Sequence, residues 1–256
     1  MKKLNKFKAY VANEKISRSE HILSENSSFA VTEAYKTART NLQYISNDDG
    51  CNIIAVTSSF PGEGKTLTCI NLAICLAQSG KKILLIDADM RKPQVAETLG
   101  LEKAPGLSEL LAGFVKMSDE EVNYCRKKTK FENLDAISAG HIPPNPSDLL
   151  AGPRMKELLE KLSPEYDFIM IDTPPTLIVS DSLILKNHVN GYVVVVRADT
   201  SSIDMVKDTV SKLRQIDAKI CGFVLNGQKV KSGRHYGKYG KYGKYGKYSQ
   251  YSKYGL

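Results

Sequence analysis

The stretch SSFPGEGKT, Ser58 to Thr66, limits the folds open to this chain more than any other. It follows an apolar run, NIIAVTS (52–58), and opens KTLTCINLAICLAQSG (65–80), whose length and closing Gly80 read as a helix. A buried strand passing through a Gly/Pro turn directly into a helix begins a strand–helix–strand unit, and the alternation recurs. KILLIDAD (82–89), LDAIS (134–138), DFIMIDT (167–173), YVVVVR (192–197) and ICGFVLN (220–226) read as strands. Helices are expected at 107–112, at 118–129 in a charged segment, at 153–163 opened by Pro153, and at 202–216. The strands are continuous runs of Ile, Val and Leu, which implies burial on both faces. The expectation is a doubly wound α/β domain with a mostly parallel sheet over about 50–228.

The turn ends in Gly64, Lys65 and Thr66, as a P-loop does. Successive backbone N–H groups at a helix N-terminus form a nest for phosphate oxygens. Pro61, Gly62, Glu63, Gly64, Lys65, Thr66 and Leu67 are therefore the expected nucleotide-binding segment. Lys65 would reach the β- and γ-phosphates and the Thr66 hydroxyl would ligate Mg²⁺. Ser59 stands where the first glycine of that pattern usually lies. Asp87 and Asp89 close one strand and Asp172 closes another. Ligands bind at the carboxyl ends of parallel strands, and an aspartate there can hold Mg²⁺ directly or through water. Thr66, Asp87, Asp89 and Asp172 are the candidate metal ligands, with ATP and Mg²⁺ the expected cofactors.

The chain ends in HYGKYGKYGKYGKYSQYSKYGL, where tyrosine returns every third residue: Tyr236, Tyr239, Tyr242, Tyr245, Tyr248, Tyr251 and Tyr254. Gly, Ser and Lys between them build no core, so 229–256 is expected to be a flexible tail. Its eight Lys/Arg face no Asp/Glu and account for the whole net charge of +8; the rest of the chain is neutral. A uniformly basic surface would point to nucleic acid; a basic tail points there weakly, and no nucleic-acid partner is expected. The five cysteines form no C-x-x-C pair and read as buried, reduced thiols. The basic start, MKKLNKFKAYVANEK, has no apolar stretch behind it, and no run approaches the roughly 20 apolar residues of a membrane helix. A cytoplasmic protein is expected, with 1–28 a polar, loosely packed lead-in.

The P-loop, LLIDADMR and IMIDTPP together resemble the Walker A, A′ and B motifs of the bacterial tyrosine kinases, the BY-kinase family. GLSELLAG (106–113), GHIPPNPSDLLAG (140–152) and the tyrosine-rich end extend the resemblance over about 28–256. It implies a P-loop NTPase fold of the MinD/ParA-like deviant type, with a kinase domain at 29–228 and an oligomerisation helix at 29–46. It implies ATP-dependent phosphorylation of the chain's own C-terminal tyrosines, in trans within a ring, in the control of capsular and exopolysaccharide synthesis. Lys65, Asp87, Asp89 and Asp172 would carry the transfer, Asp87 as base and Asp89 as metal-shell or positioning residue. Asn226 would touch adenine. The family's E-x-x-R-x-x-R oligomer motif appears as Glu33, Lys36 and Arg39, with lysine in place of the first arginine. The implied partners are a separate transmembrane activator, holding the kinase at the inner face of the membrane, and a protein-tyrosine phosphatase. A partitioning ATPase is the alternative, though Phe60 stands where those proteins carry a signature lysine.

Overall fold

The computed structural model describes residues 21–45, 50–113, 115 and 117–228. The expectations for 1–20 and for the tyrosine tail at 229–256 lie outside the described residues. Among those described, one sheet contains β1 (Asn52–Ser58), β2 (Ile83–Asp87), β3 (Arg126–Lys128), β4 (Leu134–Ile137), β5 (Phe168–Asp172), β6 (Gly191–Arg197) and β7 (Ile220–Asn226). The spatial order is β3-β4-β2-β5-β1-β6-β7, parallel throughout except at β3–β4. The helices are α1 (Phe29–Ile45), α2 (Lys65–Ala77), α3 (Val95–Leu99), α4 (Leu107–Ala112), α5 (Asp119–Cys125), α6 (Pro146–Ala151), α7 (Pro153–Leu162), α8 (Asp181–Ile184) and α9 (Ile203–Gln215).

Alternate residues of the central strands enter different cores, the period-2 geometry of a strand covered on both sides. Ile83, Leu85 and Met170 pack with Ile70 and Ile74 of α2. Leu84, Ile86, Ile169 and Ile171 pack with Leu110 of α4 and Met155 and Leu158 of α7. Each fully buried aliphatic side chain stabilises by about 1.5–3 kcal/mol relative to exposure. α2 is buried at every residue from Thr68 to Ala77. A helix enclosed this completely cannot shift without breaking the core, so its N-terminus, Lys65, is fixed in place.

Several local expectations are corrected. The charged segment is not one helix over 118–129: α5 ends at Cys125, and Arg126–Lys128 pairs antiparallel with β4. Lysines on a short outer strand blunt a sheet edge, and Lys128 pairs with Asp135 at 2.9 Å. β7, expected to be buried, leaves Phe223 53% and Leu225 54% exposed because it is the opposite edge. The short helices α3, α6 and α8 were not foreseen. In the expected loose lead-in, Ile22 and Leu23 are buried. The Leu23 N–H donates to Asn71 Oδ1 of α2 at 2.8 Å, and Asn71 Nδ2 donates to the His21 carbonyl at 3.2 Å. Among the described residues no helix is long and apolar enough to cross a membrane.

The strand order places β5 between β1 and β2, and the register aligns Asp172 with both Val56 and Asp87. Residues separated by 85 positions in sequence therefore become neighbours at one edge of the sheet, beside the turn that follows β1.

Candidate functional site

Lys65 and Thr66 open α2 immediately after Gly64, which has φ +89°. A Cβ on Gly64 would also lie 2.0 Å from Asn226 Nδ2, so both the backbone angle and the close approach require glycine here. Lys65 Nζ lies 2.8 Å from Asp89 Oδ2 and 3.7 Å from Asp172 Oδ2. The Thr66 hydroxyl donates to Asp172 Oδ2 at 2.7 Å. Asp172 Oδ1 is buried without a hydrogen-bond partner. Asp87 Oδ1 accepts the Asp89 N–H at 3.1 Å, while its Oδ2 accepts the N–H groups of Gln94 and Val95 at 3.1 and 3.0 Å, capping α3. Asp89 Oδ1 accepts the Lys92 N–H at 3.0 Å.

Three buried carboxylates around one ammonium set the electrostatics. Burial pushes the Asp87 carboxyl above its ordinary range, and Asp172 pushes it further; the Val95 N–H opposes this. Burial likewise raises Asp172, against the Lys65 charge and the Thr66 hydroxyl. Burial favours neutral Lys65, but Asp172, Asp89 and Asp87 outweigh it and hold the ammonium charged, above its usual value. The arrangement suits a divalent cation: a second positive charge would relieve like-charge crowding, and the carboxylate that accepts from the Thr66 hydroxyl keeps one oxygen unpartnered. Among the described residues no three His, Cys, Asp or Glu side chains form a metal cage. Mg²⁺ needs none, since it keeps several waters and takes one or two protein oxygens.

The P-loop is braced by contacts that its own motif did not announce. Glu63 is buried; its Oε2 accepts the Phe60 N–H at 2.8 Å and its Oε1 bonds the Ser201 hydroxyl. Arg197 Nη1 donates to the Gly62 carbonyl at 2.6 Å, and Asn226 Nδ2 to the Glu63 carbonyl at 3.1 Å. Ser59, in the place of the usual glycine, is buried and accepts from the Thr209 hydroxyl of α9 at 2.8 Å. The expected segment from Pro61 to Leu67 and the expected Asn226 thus meet, and Arg197 and Ser201 join them. Arg91 is also held at this edge: its Nε and Nη2 donate to Asp181 at 2.8 and 3.1 Å, and Nη2 donates to Ser147 Oγ at 2.9 Å.

Glu33, Lys36 and Arg39 lie away from the site on α1, and not as one set. Lys36 pairs with Glu33 at 2.9 Å on the surface, whereas Arg39 Nη1 turns inward to the Cys75 carbonyl of α2 at 3.3 Å. A cleft of about 840 Å³ lined by Lys82, Arg126, Lys128 and Tyr166 opens at the amino ends of β2, β4 and β5, opposite the aspartates. Its Arg126 and Lys128 pair with Glu165 and Asp135.

Comparison with known proteins agrees with this geometry. Residues 51–222 match the family model described as an AAA domain. The chain is 37% identical over 206 residues to the tyrosine-protein kinase YwqD of Bacillus subtilis, covering 80% of this chain and 85% of that protein. It is 38% identical over 194 residues to the tyrosine-protein kinase Wzc of Salmonella typhimurium, covering 76% of this chain but only 26% of that much longer one. The solved kinase domain of the Escherichia coli tyrosine kinase ETK superposes with a TM-score of 0.72 at 33% identity, over 81% of this chain and 80% of that domain. MinD of Pyrococcus horikoshii, solved with Mg-ADP, superposes less well, at 0.57 with 25% identity over 68% of this chain and 70% of that one. The sheet is thus that of a nucleotide-binding P-loop protein, and the chain belongs to the family of bacterial tyrosine-protein kinases.

Proposed function

We propose that this kinase uses ATP and Mg²⁺ to phosphorylate the tyrosines of its own C-terminal cluster, Tyr236, Tyr239, Tyr242, Tyr245, Tyr248, Tyr251 and Tyr254, in trans within a homo-oligomer. The observation that carries the reading is the convergence of Lys65, Thr66, Asp89 and Asp172 within hydrogen-bond or ion-pair distance at the P-loop. Phosphoryl transfer needs positioning and charge neutralisation more than covalent chemistry from the protein. The P-loop N–H groups and Lys65 bind the phosphates, Lys65 exchanging its Asp89 partner for a phosphate oxygen. Thr66 and Asp172 would hold Mg²⁺, which neutralises charge on the transferring group when bound. Asn226 lies beside the P-loop, where the base would rest.

We assign the proton acceptor to Asp87, with Asp89 as the positioning residue beside Lys65. Burial and Asp172 push the Asp87 carboxyl up to about 8, which suits it to take a phenolic proton, and each of its oxygens keeps a second lone pair beside the N–H groups it accepts. Asp89 Oδ2 is freed when Lys65 moves to phosphate. The tyrosine oxygen then bonds to the γ-phosphorus, the bond to the β-γ bridging oxygen breaks, ADP leaves, and the phenolic proton passes to Asp87. Asp89, two residues on, holds Lys65 at the P-loop until a phosphate takes its place.

The tail supplies acceptor and attraction: each tyrosine stands near lysines in sequence that would be drawn to an anionic pocket, and seven copies would raise the local substrate concentration. The kinase would act at the inner face of the membrane through a separate transmembrane activator, with a protein-tyrosine phosphatase reversing it, in control of capsular or exopolysaccharide synthesis. Glu33 and Lys36, exposed on α1, would contribute to the subunit contact, with Arg39 tying that helix to α2. The partitioning-ATPase reading shares the sheet but lacks its signature lysine at Phe60 and has no use for the tyrosine array.

Mixing Lys65→Met protein with active protein ending at Gln228 tests the trans reading. Phosphate should appear on the tail of the Lys65→Met chain, the one tail present. An unlabelled tail in a mixture shown by size to co-assemble would argue for transfer within one chain.

A further inference from the structure

We propose that Arg91 is a positioning residue for phosphoryl transfer, clamping the loop that carries Asp89 to α6 and α8 through Ser147 and Asp181. Asp181, the first residue of α8, is fully buried, while the Arg91 side chain is 42% exposed. Arg91 Nε meets Asp181 Oδ2 at 2.8 Å and Nη2 meets Oδ1 at 3.1 Å, a two-pronged pair. The Ser147 hydroxyl, at the second position of α6, closes the triangle: it accepts from Nη2 at 2.9 Å and donates to Asp181 Oδ1 at 2.7 Å. Three segments that follow three different strands, β2, β4 and β5, are thereby joined at the carboxyl edge of the sheet.

A buried ion pair is weak evidence for stability, because desolvation of the charges offsets much of their attraction. What the planar fork adds is direction. Arg91 lies two residues after Asp89, whose Oδ2 meets Lys65 and whose Oδ1 takes the Lys92 N–H in the same turn. The fork therefore holds the far side of a tight turn whose near side presents Asp89 to the P-loop lysine. Misplacing a reacting group by about 1 Å can cost about 10²-fold in rate. The clamp acts on the transfer step and leaves the P-loop, which binds ATP, untouched.

The inference rests on the reading of Asp89 as the residue that positions Lys65 for transfer, and the test separates the two. Arg91→Lys keeps the charge and loses the fork; kcat for tyrosine phosphorylation should fall about tenfold, with ATP affinity within about twofold of the parent. Asp181→Asn should do the same. The double variant should be little worse than the more impaired single one, because both remove one coupled unit. Thermal unfolding checks that each variant is folded; should Arg91→Lys not fold, Ser147→Ala, which removes one prong's partner, should show the same kcat loss at about threefold. Unchanged kcat in folded Arg91→Lys, or a loss of ATP affinity as large as the loss of kcat, would overturn the clamp. Asp89→Asn serves as the reference: full activity in it overturns the role of Asp89 and the clamp with it, whereas an inactive Asp89→Asn beside a fully active Arg91→Lys overturns the clamp alone.

Discussion

Lys65→Met should lower phosphotyrosine formation by about 10³-fold and also destabilise the nucleotide-free protein. The first effect follows from the loss of a preorganised cation at the transferring phosphoryl, where single donors contribute about 10²–10³. The second follows from what Lys65 does with no nucleotide bound. It is the ammonium between Asp89 and Asp172, with Asp87 also close enough to raise its pKa. Removing one partner of a buried pair leaves uncompensated charge and typically costs about 3–5 kcal/mol. The pH dependence has a definite sign. Without Lys65 the carboxyl groups of Asp87 and Asp172 rise further above their unfolded values, so the folded state binds more protons than the unfolded chain. Stability then falls as pH rises from about 4 through the folded values. The contribution of Lys65 itself is constant here, because its raised pKa is lost only at far higher pH. The deficit of Lys65→Met in chelator, measured by thermal unfolding, should be larger at pH 8 than at pH 5; an equal deficit at both would show that the lysine does not hold these charges.

Asp172→Asn should also lose most activity, yet shift stability the other way. The loss of activity follows from removing the carboxylate beside Thr66, at about 10²-fold or more. The stability gain follows from burial, which raises the Asp172 pKa, and from the unpartnered Oδ1 atom. A carboxyl whose folded pKa lies above its unfolded one carries a penalty that is absent below about pH 4 and grows as pH rises to the folded value. Asparagine removes that penalty while leaving an oxygen for the Thr66 hydroxyl. The midpoint of thermal unfolding in chelator should rise, by about 2–4 °C for each kcal/mol relieved in a domain of this size, and rise more at pH 8 than at pH 5. A lower midpoint at pH 8 would mean that Asp172 supports the fold rather than straining it.

The parallel sheet was legible because its central strands are unbroken apolar runs, a pattern that only double-sided burial explains. The edges were not. RKK at 126–128 carries no apolar signal; it becomes a strand because β4 offers an unpaired side. β7 has the same Ile/Val/Leu character as the centre and yet leaves Phe223 and Leu225 out, since composition does not say which strand lies last. At the site, Lys65, Thr66, Asp87, Asp89 and Asp172 were legible as short motifs at strand ends. The hydrogen bonds that set the surroundings of Asp87 apart from those of Asp89 come from the turn into α3, a helix of five residues with no advance signal. Contacts spanning long separations were invisible: Ser201 with Glu63, and Asp181 with Arg91, lie 138 and 90 positions apart. Arg39, given with Glu33 and Lys36 as an oligomer motif, reaches the end of α2, while Glu33 and Lys36 pair with each other.

The most direct measurement is a phosphate map of the full-length chain after incubation with ATP and Mg²⁺, beside Lys65→Met treated identically. Because lysine recurs through the tail, the C-terminal fragment is released with a protease that does not cut at lysine and sequenced by mass. The account predicts phosphate on tyrosines between Tyr236 and Tyr254 in the parent and none in Lys65→Met. A parent that consumes ATP with no phosphate in that cluster, or equal labelling of both proteins, would contradict it.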